Sequence, residues 1–184
     1  SDGSEFNQTT AEVAKIDLDE NETRATLENG KPVKEERIGK KPFTIPGLAM
    51  EMLWCKPGTF TMGSPKSEKH RDDDETQHAV TLTEGFGLGK YEVTQAQYET
   101  VMTGNPEGLN VKPSQWSNNN DRPVEKVSWE DAQIFLSRLN QMEQTAGRLP
   151  AGWKYSLPTE AQWEYACRAG TTTVFSWGNS ATST

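Results

Sequence analysis

The sequence predicts a folded, loop-rich α+β domain, and three observations predict it. Short runs with strand character, Met50-Glu51-Met52-Leu53-Trp54-Cys55 and Thr59-Phe60-Thr61-Met62, sit between turn formers. Three later segments each carry a helix cap followed by apolar residues at helical spacing. Six Trp are spread among ten Pro and fifteen Gly, and large aromatics set among turn formers suit a globular fold better than a solvated tail. The opposing signal is an apolar fraction of 33%, with Leu, Ile, Val and Phe together about a sixth of the chain, below the usual floor for globular proteins. A turn-dense domain with a small core for its 184 residues is therefore expected.

Residues 1–41 read as a charged, β-hairpin-like appendage and linker, and residues 42–184 as the compact domain. In the first segment, Ala11 to Leu18 and Arg24 to Glu28 are β-like, with turn signals at Asp19-Glu20-Asn21-Glu22 and at Asn29-Gly30. From Lys41 the composition shifts, as Pro42, Pro46, Gly47, Pro57 and Gly58 punctuate the two strand-like runs. Thr94 with Gln97 makes a capping box ahead of Ala96, Tyr98, Val101 and Met102, and Gly104 stops that short helix. Ser128 with Asp131 opens the longest helix, whose core face is Ala132, Phe135, Leu136, Leu139 and Met142 and whose end is marked by Gly147. Thr159 with Gln162 opens the third, where Trp163, Ala166 and Cys167 form an apolar stripe before Gly170. Gly104 to Arg122 has almost no periodicity and reads as a long surface loop, the kind of segment that often serves binding.

Charge narrows the function classes. Nineteen basic against twenty-seven acidic residues give a net charge of -8, which gives no support to a phosphate-tracking surface, so nucleic acid is not an expected partner. No apolar run is long enough to cross a bilayer, and Ser1-Asp2-Gly3-Ser4-Glu5 lacks the basic and apolar regions of a leader. A polar start is equally what an exported or periplasmic chain presents once its signal peptide has been trimmed. Two cysteines neither make a disulfide scaffold nor a CxxC motif.

Chemistry-bearing residues are sparse. The acidic run Glu68 to Glu75, with His70 and His78, carries carboxylates and imidazoles but no period that would align them on one metal, so a solvated loop is expected there. No GxSxG, HExxH, P-loop or GxGxxG is present, and two histidines cannot make a three-histidine centre. No catalytic, cofactor-binding or metal-binding residue is assigned. Cys55, in an apolar run, and Cys167, on a helix stripe, are both expected to be small buried hydrophobes without reactivity. Trp129 and Trp163, at helix starts, are expected to be packing anchors, whereas Trp116 in the polar loop is expected to be exposed and is the candidate for ligand contact.

Taken jointly, a series of blocks resembles the formylglycine-generating enzyme family, whose domain is also called the sulfatase-modifying factor domain. The blocks are Phe60-Thr61-Met62-Gly63-Ser64, Glu75 and His78, Lys90-Tyr91-Glu92-Val93-Thr94 with Tyr98, and Pro123-Val124 with Val127-Ser128-Trp129 and Asp131-Ala132. They continue with Leu157-Pro158-Thr159-Glu160-Ala161-Gln162-Trp163-Glu164-Tyr165-Ala166, Arg168 and Gly170, and end with Trp177-Gly178-Asn179. Each is weak alone; their order and spacing from about residue 50 to 179 are specific.

The resemblance implies a fold related to C-type lectins. It also implies oxidation of a cysteine of a client sulfatase to formylglycine by molecular oxygen, with copper held by a cysteine pair and calcium stabilising loops. The family places those ligands after the Trp-Gly-Asn block, so none is expected within this chain, and only Thr159, Glu160 and Trp163 carry over, as scaffold. Cys167 stands where some members place a cysteine bridging to the later half of the domain. Relatives of other function bear on the alternative. Sulfoxide synthases join the domain to a helical bundle with iron-binding histidines, which the histidine-free first 45 residues do not match. Others are non-catalytic ligand- or protein-binding domains, and that is the alternative reading.

Overall fold

The structure is a computed structural model that describes residues 41–180 and, before them, only the strands β1 (Lys15–Leu18), β2 (Leu27–Glu28) and β3 (Lys31–Pro32). There follow β4 (Phe43–Ile45), a 3₁₀ turn (Pro46–Leu48), β5 (Met50–Cys55), β6 (Gly58–Met62), β7 (His78–Leu82) and β8 (Phe86–Gly89). The remaining elements are α1 (Gln95–Met102), α2 (Trp129–Thr145), β9 (Trp153–Ser156) and α3 (Glu160–Arg168). This is the expected mixture of helices and short strands joined by long irregular segments.

The main sheet is antiparallel, in the order β4-β5-β8-β1-β9. In β5, Met50 and Met52 are buried while Glu51 and Leu53 face out, the alternation of a sheet with one covered face. β1 is the element that sequence reading placed differently. It was expected in an appendage, yet Lys15 and Ile16 pair with Leu88 and Gly87 on one side while all four residues pair with Ser156 to Trp153 on the other. For these four residues the expectation is corrected: β8 and β9 do not pair with each other, and β1 satisfies the main-chain groups between them. Farther on, Leu27 pairs with Pro32 and Glu28 with Lys31, while the turn signals expected at residues 19–22 and 29–30 lie outside the described residues.

Helices α1 and α2 pack together over the main sheet. All three expected capping boxes form, with Thr94, Ser128 and Thr159 accepting from the N–H of Gln97, Asp131 and Gln162, and each of those side chains returning the bond. On α2, Ala132, Phe135, Leu136 and Leu139 are buried as expected, whereas Met142 is only partly buried and Glu143 takes the innermost place in the last turn. Tyr98 of α1 stacks on Phe135 of α2 with ring centroids 5.6 Å apart. Arg138 of α2 donates to the carbonyls of Val101 and Thr103 at 2.8 and 2.9 Å, satisfying the end of α1. Asn140 bonds both main-chain groups of Tyr155, at 2.8 and 2.7 Å, which fixes α2 to β9.

Away from this core, β6 and β7 form a separate two-stranded ribbon with Phe60 opposite Val80. Helix α3 lies on it and buries no residue completely. The expected stripe is displaced: Trp163 and Cys167 are exposed, and the face toward the ribbon is Glu164, Tyr165 and Arg168. Tyr165 packs edge-on against Phe60 at 5.3 Å. Periodicity marked an apolar stripe, but the helix docks through an ion pair and one phenol, so Trp163 and Cys167 face out while Ala166 is partly buried.

Candidate functional site

The long segment between α1 and α2 is irregular, as expected, and it is heavily bonded. The first N–H groups of a helix have no partner inside it, and here Gln95 and Ala96 donate theirs to the carbonyls of Arg122 and Asn120 at 2.9 and 3.0 Å. The Gln95 side chain, 9% exposed, donates to the carbonyls of Trp116 and Pro123 at 3.1 and 3.3 Å. Glu125 accepts from the Trp116 N–H at 3.0 Å, and Ser114 accepts from the Glu125 N–H at 3.1 Å. Upstream, Asn105 accepts from the Leu109 N–H and donates to the carbonyls of Met102 and Leu109. Leu109 and Val111 rest against the core. The loop is thus built by side-chain amides and carboxylates where no ladder exists to do so.

Two clefts flank the Asn120–Val124 part of this loop. The larger, about 700 Å³, is lined by Glu51, Lys90, Tyr91, Glu92, Thr94 and Asp121 among others. Lys90 Nζ lies 3.0 Å from Glu51 Oε2 and 5.0 Å above the Tyr91 ring, and the Glu51 hydrogen bond, ahead of Tyr91, raises the lysine's pKa. With that lysine paired, Glu92 and Asp121 leave the cleft acidic, and Tyr91 offers it a largely exposed ring. The smaller cleft, about 160 Å³, lies behind Ser114 and Ser117.

Trp116 is exposed, as expected, at 63%. Trp129 and Trp163, expected as anchors, are corrected by the structure, being 59% and 47% exposed. Each sits in the first turn of its helix on the side away from the packed face. Cys55 is half-buried on β5, and burial pushes its thiol pKa up. Cys167, expected to point inward, is exposed on α3. In the acidic run, Glu75 is used internally: Ser64 Oγ donates to one oxygen, and the Asp72 N–H donates to the other at 3.2 Å. His78 Nδ1 meets the Thr76 carbonyl at 2.9 Å. Sequence reasoning missed Gln95, Glu125 and Tyr91; a Gln or Glu that bonds distant main chain carries no local pattern.

Copper and calcium, implied by the resemblance, do not fit the described residues. Among these residues no three His, Cys, Asp or Glu side chains gather as metal donors. Cys55 is held toward its protonated form, and a thiolate is what Cu(I) binds. Glu75, the carboxylate at the end of the acidic run, is already occupied by protein donors. Among the described residues, no helix is long and apolar enough to cross a membrane.

Comparison with known proteins gives a consistent result. The family model for the sulfatase-modifying factor enzyme 1-like domain matches residues 40–184. The formylglycine-generating enzyme of Mus musculus is 26% identical over 186 aligned positions, covering 77% of this chain and 45% of that protein. The chaperone protein LppX of Paenibacillus barcinonensis is 31% identical over 133 positions, covering 59% of this chain and 43% of that protein. The chain spans about half the length of the curated relatives it matches. Among solved structures, PvdO from Pseudomonas aeruginosa shares the fold with a TM-score of 0.53 at 22% identity, over 72% of this chain and 52% of that one.

Proposed function

This chain belongs to the sulfatase-modifying factor enzyme 1-like family, and on that premise we propose that it is part of a formylglycine-generating-type protein. In complete form such a protein oxidises a cysteine of a sulfatase polypeptide to formylglycine with O2. The observation that carries the reading is the family match over residues 40–184, joined by 26% and 25% identity to the mouse and bovine formylglycine-generating enzymes. The reaction replaces the Cβ–S bond by a carbonyl; with O2 and two electrons and two protons from a thiol reductant, it releases hydrogen sulfide and water. In this reading copper supplies the oxygen chemistry, and its ligands are thiolates other than Cys55 and Cys167. Calcium likewise is held by residues outside those described.

The part assigned to this chain is the framework and one wall of the substrate site. The 700 Å³ cleft is open and acidic and carries an exposed ring at Tyr91, features that fit an extended polypeptide rather than an enclosed small molecule. Glu92 and Asp121 favour a segment with a basic side chain.

A second reading, a non-catalytic ligand- or protein-binding domain of the same fold, is favoured by the similarity to a protein named as a chaperone. One experiment separates the two. The 184-residue chain and a chain extended to the relatives' length are each incubated with Cu(I), O2, a thiol reductant and a cysteine-containing sulfatase peptide, and aldehyde is read by mass spectrometry. Aldehyde from the extended chain alone supports the oxidase. Peptide binding without aldehyde in either supports the binding domain. Aldehyde from the 184-residue chain would overturn the assignment of Cys55 and Cys167 to non-catalytic roles.

A further inference from the structure

We propose that the slot between β8 and β9 is a strand-acceptor site whose exchangeable occupant is the Lys15–Leu18 strand of a second copy of this chain. In the structure the chain's own β1 fills the slot, antiparallel to both walls. Lys15 and Ile16 lie opposite Leu88 and Gly87 of β8, and Lys15 to Leu18 lie opposite Ser156 to Trp153 of β9. The earliest strand in the sequence is thus an interior strand of the sheet, between walls that come from much later in the chain.

Each wall is held without β1. β8 pairs with β5 along its whole length, from Phe86 opposite Cys55 to Gly89 opposite Met52, and the Lys90 N–H just beyond it donates to the Glu51 carbonyl at 2.8 Å. β9 is tied to α2, because Asn140 bonds the N–H and the carbonyl of Tyr155. The N–H and carbonyl of one strand residue point to the same edge, so Asn140 closes the outer edge of β9 and the alternate residues bond into the slot. The opposite edge of the sheet is β4, a three-residue strand set between Pro42 and Pro46, which blunts it. With both outer edges closed, the slot is where this sheet takes a strand.

A slot whose walls stand without the occupant is pre-organised for an extended segment. β1 pairs through only four residues, so few bonds have to open for it to leave. Residues 19–42 join it to β4, and at about 3.3 Å each they span up to about 80 Å when extended, against roughly 20 Å across a five-stranded sheet. The tether therefore does not dictate which copy fills the slot. A strand from a second copy makes the same bonds in the same register, which is the condition for exchanging an element between protomers. Own and partner strands then compete by concentration, with the tethered strand counting as about 1 mM. The register favours this sequence over other extended segments: Asp17 stands opposite Lys154, and Ile16 stands opposite Gly87, where the wall has no side chain. The site uses neither cleft and does not depend on the oxidase reading.

The test uses the full 184-residue chain with Cys55→Ser and Cys167→Ser. Lys15 and Ser156 face each other in the β1–β9 register, within disulfide reach once both are cysteine. A donor chain carries Lys15→Cys, an acceptor chain carries Ser156→Cys, and a third chain carries both. Donor and acceptor are mixed at about 0.05 mM and at about 1 mM, oxidised, and mapped by mass spectrometry. The third chain should close an internal 15–156 bond. The mixture should form a 15–156 bond between chains that rises with concentration and exceeds the 15–15 and 156–156 bonds. Ile16→Pro in the donor should lower it by about tenfold or more, because proline removes a ladder donor from a central strand. An excess of a synthetic peptide of residues 11–22 should suppress it, and a scrambled peptide should not. Internal closure without any bond between chains would show that β1 never leaves its own slot, and no 15–156 bond in either case would show that β1 does not occupy it. A bond between chains no greater than the 15–15 and 156–156 bonds, or unaffected by Ile16→Pro, would show collision. Equal suppression by the scrambled peptide would show a site for any extended peptide. Each of these results overturns the proposal.

Discussion

Glu164 of α3 accepts the N–H of Gly63 at 2.8 Å across 101 residues of sequence, and Arg168, paired with the same carboxylate at 2.7 Å, donates to the Gly63 carbonyl at 2.9 Å. Gly63 has φ +89°, and a Cβ there would lie 2.8 Å from the Thr76 carbonyl oxygen. The glycine is needed both for its backbone conformation and for that approach. Gly63→Ala should therefore cost about 2 kcal/mol or more. Glu164→Gln keeps an acceptor for the N–H and loses the charge pairing, for about 1 kcal/mol. Denaturant unfolding of the two variants measures both, and equal stability to wild type would show that α3 is held by something else.

Glu143 is 3% exposed and meets Arg148 through two hydrogen bonds of 2.9 and 2.6 Å. Removing one partner leaves a buried charge alone, which is the expensive way to break such a pair. Arg148→Met should destabilise the protein by about 3 kcal/mol or more. The double variant Glu143→Leu, Arg148→Met should recover most of that loss in the same unfolding measurement.

The two thiols should react unequally. Cys167 is exposed, whereas Cys55 is half-buried with its pKa pushed up by burial, so less of it is thiolate at any working pH. Iodoacetamide at mildly alkaline pH should modify Cys167 at least about tenfold faster, with Cys55 reached on denaturation. Peptide mapping reads the order.

The Ser64 hydroxyl, and after it the Asp72 N–H, hold the Glu75 carboxyl below the usual carboxylate range. A lowered folded pKa contributes stability that is present above the unfolded value and lost as pH falls through the folded one. Acidification below the usual carboxylate range should therefore loosen the 63–78 turn. Ser64→Ala should return the Glu75 carboxyl, followed by carbon NMR, toward its ordinary value. Its stability deficit should be greatest near neutral pH and should vanish in acid.

Deleting residues 1–41 removes β1, whose backbone joins β8 to β9. The expected outcome is a less cooperative, earlier thermal transition, because β8 and β9 are left with unpaired main-chain groups. A truncated chain as stable as the parent would restore the first 41 residues to the status of an appendage.

The sequence alone determined what is local. Thr94, Ser128 and Thr159 each announce a capping box within four residues, and all three form, because the bonds that make a cap lie inside one turn. The face of α2 was legible for the same reason, since its apolar spacing is set by the helix's own period. The family, too, was legible, from blocks in fixed order.

Tertiary structure decided what depends on distant partners. Phe86-Gly87-Leu88-Gly89 has two glycines and little strand propensity, yet it is a central strand because β5 and β1 bond to both its edges. Cys167 and Trp163 face outward because Glu164 and Arg168 find Gly63 a hundred residues away, and an ion pair with that reach outweighs a short apolar stripe in orienting α3. The setting of Trp116 was decided in the same way. Its exposure follows from the polar loop around it, but its main-chain partners are Gln95 and Glu125, whose bonds to main chain far along the sequence leave no local pattern.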